Sequence, residues 1–128
     1  IKDLIHYVGF VEEKEMPSLY KQSISLVMPT YLGPTNIPPL EAFFYKTPLC
    51  YSDLDSFREQ VGEAAFYMDL TDPNSLVDHI LTIINNDKTV IQKIKSGLQV
   101  LDSWKEEDFY LKIIEILKEF KFLREKWN

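Results

Sequence analysis

One cysteine, two histidines and four glycines are all that the 128 residues offer of three residue types on which disulfide frameworks, metal centres and phosphate-cradling loops depend. With Cys50 alone, a disulfide framework is excluded and a reducing compartment is expected. Cys50 sits within an apolar run, which predicts a core thiol rather than a reactive one. His6 has no second His, Cys or acid near it at ligand spacing, so it reads as structural and no metal site is expected. The glycines form neither a GxGxxG nor a P-loop pattern. Positive charge is short as well: 14 Lys and Arg stand against 20 Asp and Glu, a net charge of −6. That balance excludes the clustered basic surface a nucleic-acid partner requires. No run approaches the roughly 18 to 20 apolar residues needed to cross a bilayer, and no charged segment precedes an apolar one at the start. The expectation is a cytoplasmic chain, neither spanning nor secreted. Internal repeats and low-complexity segments are also missing.

What is present describes one globular domain, 45% hydrophobic and 27% charged, long enough to bury a core. Short apolar runs at 4–8, 24–29, 48–51 and 64–68 predict four strands, the second nearly continuous in apolar character as strands covered on both faces are. Between them, helices are predicted. One opens near Met16-Pro17, burying Leu19 and presenting Tyr20; one at 40–46 carries Leu40, Phe43 and Phe44 on one side, with Tyr45 as packing; a third spans 56–61 and is closed by Gly62. Asp72-Pro73, an N-cap followed by proline, starts a helical tail over about 73–128. Its first helix buries Leu76, Ile80, Ile83 and Ile84 and leaves His79 solvated. The second carries Ile91, Ile94, Leu98 and Leu101, and Trp104 marks the loop after it. The last repeats Phe109, Ile113, Ile116, Phe120, Leu123 and Trp127, a stripe that either docks on neighbouring helices or covers another domain. Strand and helix in alternation predict an α/β fold, a Rossmann-like parallel sheet with helices on both faces.

The chemistry is expected where the second strand ends. Pro38 and Pro39 suit a first helical turn, and Asn36 is a good N-cap before them. The N–H groups of Thr35, Asn36 and Ile37 would then point outward at the positive end of a helix dipole, a nest for anions and phosphates above all. Gly33 allows close backbone approach, Thr35 adds a hydroxyl, and Glu41 supplies a carboxylate able to accept hydrogen bonds from a ribose. A loop whose Gly and Pro merely shape a turn explains the same residue types, and local chemistry alone does not separate the two. Asp53, at the end of the third strand, is a lesser candidate or a turn residue.

Gly33-Pro34-Thr35-Asn36-Ile37-Pro38-Pro39-Leu40-Glu41-Ala42-Phe43, preceded by Leu26-Val27-Met28-Pro29-Thr30, resembles the donor-nucleotide signature of retaining glycosyltransferases of the GT-B type, sequence family 4. Val8-Gly9-Phe10-Val11, Leu19-Tyr20-Lys21, 47–53, 58–65 and Asp72-Pro73 resemble its flanking segments in order. The resemblance implies that Glu41 holds the ribose hydroxyls, that the backbone at Thr35, Asn36 and Ile37 holds the diphosphate with Gly33 beside it, and that Phe10 and Val11 border the base. No cofactor or metal is implied, and no catalytic residue is assigned. Many relatives carry an acid where Gly33 stands. The resemblance also makes residues 1–128 the C-terminal, nucleotide-sugar-binding part of a GT-B fold, truncated at its N-terminal side and inactive as cut.

Partners implied are a nucleoside-diphosphate sugar, a glycan or lipid-linked acceptor and the missing N-terminal domain, with the full-length protein at the inner face of the membrane. Lacking its neighbours, the strand at 4–8 is predicted to pair directly beside 24–29 or with another molecule, a route to self-association through an exposed sheet edge. The competing reading is a non-catalytic nucleotide-binding or interaction module of the same fold.

Overall fold

The computed structural model describes residues 2–33, 36–85, 87–103 and 106–126. Pro34, Thr35, Trp104 and Trp127 lie outside the described residues, as does the side chain of Phe109. The elements are α1 (Met16–Gln22), β1 (Leu26–Met28), α2 (Pro38–Phe44), β2 (Leu49–Ser52), α3 (Asp55–Val61), β3 (Ala65–Met68), α4 (Pro73–Asn85), α5 (Asp87–Ser103) and α6 (Glu106–Glu125).

The three strands form one parallel sheet in the order β1-β2-β3, registered Leu26 with Leu49 and Leu49 in turn with Ala65. β2 is its centre, and all four of its residues are fully buried. Alternation along the strands sorts the core onto two faces. Leu49, Tyr51 and Ala65 pack with Phe43 of α2, Phe57 and Val61 of α3 and Val100 and Leu101 of α5. Cys50, Phe66 and Met68 pack with Leu76, Ile80 and Ile83 of α4 and Val90 of α5. The fold is therefore α/β, a parallel sheet covered by helices on both sides, as the strand-helix alternation predicted.

α4 begins as expected, with the Asp72 carboxylate accepting from the Asn74 backbone N–H at 3.0 Å. α5 approaches α2 at Gly97, where a Cβ would stand 2.5 Å from Phe43 Cδ1. Leu98 and Leu101 are half-buried there, but Ile91 and, on α4, Ile84 are exposed. His79 is not solvated: its Nε2 lies 2.7 Å from the Tyr67 carbonyl and its ring packs near Phe66, because α4 lies along β3.

The strand predicted at 4–8 is absent. Lys2–Leu4 form a single 3-10 turn, and the chain then runs without regular structure to residue 12. Tyr7 and Phe10 are 98% and 92% exposed. A lone strand leaves its amides and carbonyls unpaired and has no sheet face on which to bury its side chains, and the chain does not carry residues 4–8 to the edge of β1. His6, within this stretch, is exposed.

In α1 the expected burial is reversed: Tyr20 is 8% exposed while Leu19 faces outward. In α2, Phe43 is buried but Phe44 is exposed. The stripe of α6 is not buried at its described positions. Ile113, Ile116, Phe120 and Leu123 are 38% to 64% exposed. Among the described residues no helix is long and apolar enough to cross a membrane.

A candidate nucleotide site at the entrance of α2

In a parallel sheet all strands end on the same side, where the loops at 29–37, 53–54 and 69–72 emerge. The first is the longest and leads directly into α2. Pro38 and Pro39 occupy its first turn, where no intrahelical partner is lost, and Pro39 is also buried.

Asn36 is not the cap of this helix. The N-cap is Ile37, itself in helical conformation with no side-chain cap, and its carbonyl accepts from Leu40 and Glu41 at 2.9 and 3.2 Å. The Asn36 side chain instead donates from Nδ2 to the Tyr51 hydroxyl at 2.6 Å. That hydroxyl donates to Gln60 Oε1 at 3.1 Å, and Gln60 Nε2 donates back to the Asn36 carbonyl at 2.8 Å. The physical reason is Tyr51. Its ring is fully buried and stacked on Phe57 at 4.2 Å, so its phenol must find partners within the protein. Burial pushes the Tyr51 phenol up in pKa, and the bond from Asn36 opposes that shift. A closed ring of three side chains thus ties the loop to β2 and α3.

Gly33 lies against the same asparagine. Its φ of +123° suits only glycine, and a Cβ there would fall 2.2 Å from Asn36 Oδ1. Glycine at this position is therefore required by geometry. Ile37 is exposed beside it.

Glu41 sits in the first turn of α2, half-buried. Its Oε2 accepts from the Tyr20 hydroxyl at 2.8 Å. Burial above all, then the bond and the charge of Glu41, hold the Tyr20 phenol well above the usual range, so it remains a donor at neutral pH. A pocket of about 310 Å³ opens beside the carboxylate, lined by Glu13, Met16, Leu40, Glu41, Phe44 and Tyr45. Phe10 and Val11 do not reach this pocket. They line a separate, larger groove of about 710 Å³ against Ser18, Leu19 and Gln22 of α1. Gly33, Asn36 and Ile37 line neither.

Asp53 is held by Arg58 through a bidentate pair at 2.5 and 2.9 Å, which keeps its carboxyl below the usual range and gives it a structural partner. Tyr20, Tyr51 and Gln60 escaped sequence reasoning. Only Tyr51 carried a signal, a phenol inside an apolar strand that had to be satisfied somewhere. Among the described residues no three His, Cys, Asp or Glu side chains are grouped so as to hold a metal ion.

The profile of the family described as glycosyl transferases group 1 matches residues 1–100. O-antigen chain mannosyltransferase B of Escherichia coli is 31% identical over 83 residues, 65% of this chain and 22% of that protein. O-antigen chain mannosyltransferase RfbU of Salmonella typhimurium is 32% identical over 75 residues, 59% of this chain and 21% of that protein. The matched region thus spans about a fifth of the length of these curated relatives. No solved structure matches the chain at a significant level. With the family matched over residues 1–100, most of the sequence, the chain belongs to the glycosyl transferases group 1 family.

Proposed function

We propose that residues 1–128 are the donor-binding, C-terminal part of a retaining glycosyltransferase of the GT-B type, sequence family 4. The whole enzyme would transfer a sugar from a nucleoside-diphosphate donor to a glycan or lipid-linked acceptor at the inner face of the membrane. The observation that carries this reading is the family match over residues 1–100; the residues that resemble its donor-nucleotide signature run into the first turn of α2. The names of the two relatives favour mannose as the sugar and a surface polysaccharide as the product.

In this reading Glu41 accepts from the ribose, and the backbone at Thr35, Asn36 and Ile37 faces the diphosphate. Amides held in place before reaction stabilise charge on the departing diphosphate without reorganisation, which lowers the barrier to transfer. Phe10 and Val11 would border the base only after the 4–12 segment takes a different position, which the neighbouring strands of a complete domain would supply. The fragment should then bind more readily than it catalyses.

Titration calorimetry of the chain with GDP and UDP tests the proposal. Binding of at least one is expected, weakened about tenfold by Glu41→Ala, the loss of one hydrogen bond to a charged group. No heat with either ligand at millimolar concentration would count against it.

A further inference from the structure

Glu41 is the one acidic residue in the first turn of α2, and the structure gives it a buried phenol as a fixed neighbour. Tyr20 is held at both ends. Its carbonyl accepts from Thr47 Oγ1 at 2.8 Å and its ring stacks on Tyr45 with centroids 5.4 Å apart. Between these anchors its hydroxyl donates to Glu41 Oε2, bridging 21 positions of sequence and joining α1 to α2. A carboxylate offers about four lone-pair sites, so one donor leaves capacity on the other oxygen.

We propose that Tyr20 is the positioning residue of Glu41: it clamps one carboxylate oxygen so that the other is presented, in a single rotamer, to the hydroxyls of a nucleotide ribose. This inference rests on the donor-site reading. It adds a residue that touches no ligand. A free glutamate side chain loses rotamer freedom when it binds; one already held by a charge-assisted bond loses little. The neighbouring pocket of about 310 Å³ gives the ribose a place to meet that carboxylate, with Tyr45 and Leu40 as its apolar walls.

The test is calorimetric titration of the chain with GDP and UDP and with the 2′-deoxy and 3′-deoxy analogue of each. Wild type should prefer the ribonucleotide over at least one deoxy analogue, and Tyr20→Phe should remove about fivefold of that preference, the worth of one net hydrogen bond, while leaving affinity for that analogue unchanged. Tyr20→Phe keeps the ring stacked on Tyr45, and thermal unfolding of each variant is recorded first. Should it fail to fold, Glu41→Asp decides, because it keeps the charge but withdraws the carboxylate from Tyr20 by one methylene; loss of the ribose preference is again expected. The double variant should be no worse than either single one. A Tyr20→Phe protein that binds every ligand as wild type does, or that weakens all of them equally, overturns the proposal and leaves the donor-site reading standing. So does Glu41→Asp with its ribose preference intact. Wild type that binds without any ribose preference removes the role of Glu41 and of Tyr20 with it; wild type that binds neither diphosphate removes the donor site altogether.

Discussion

Cys50 illustrates how completely the centre of β2 is closed to solvent. The thiol is fully buried, burial raises its pKa, and the Ser25 hydroxyl 3.4 Å from its sulfur opposes that only partly. Since the thiolate is the nucleophile, an aromatic disulfide reagent such as DTNB is expected to leave the native chain unmodified and to label one thiol per chain after unfolding in guanidinium. Rapid labelling of the native protein would contradict the packing of β2. The buried role of Cys50 was legible in the sequence because an apolar run surrounds it. So was the position of Glu41, since two prolines mark the turn on which it lies. Tyr20 and Asn36 were not legible, and for one reason. α1 has only seven residues, too few for periodicity to choose between adjacent Leu19 and Tyr20; the choice is made by Glu41, far along the chain. Asn36 obeys the phenol of Tyr51 rather than the local preference for a cap.

At the scale of elements, α5 crosses α2 through a gap that only glycine can fill. Alanine in a helix interior ordinarily gains about 0.5–1 kcal/mol over glycine, but the methyl group of Gly97→Ala would meet Phe43, a ring only 2% exposed. Forcing extra volume into a packed site costs about 1–3 kcal/mol, so Gly97→Ala is expected to lower stability despite its better helix propensity, measured as a lower midpoint in urea. An unchanged or higher midpoint would show that Phe43 moves aside. Strands β1 to β3 and the helices between them were legible because each buries apolar residues within its own neighbourhood. The 4–8 segment has strand-forming residues too, yet it stays open. Strand propensity is a preference for a partner, and a sequence window does not say whether the partner is within reach. The same holds for α6, whose stripe announces burial without naming what buries it.

For the molecule as a whole, stability should reside in the sheet and the five helices around it. The described apolar side chains of α6 are exposed rather than buried in the core. Ending the chain after Ser103 is therefore expected to leave the urea midpoint of the remainder within about 0.5 kcal/mol of its original stability, as for changes made away from packed sites. A clear loss would mean that α6 is part of the core after all. Tyr51 and Gln60 have a different kind of reach. Their hold on Asn36 is completed when the chain folds, so the order of this part of the α2 entrance is established before any ligand arrives. Tyr51 is in this way exposed to selection twice over, once as core and once, together with the half-buried Gln60, as support for the loop. Substitutions there would drift together rather than singly, and an engineer altering the sheet beneath this loop would be altering the loop itself.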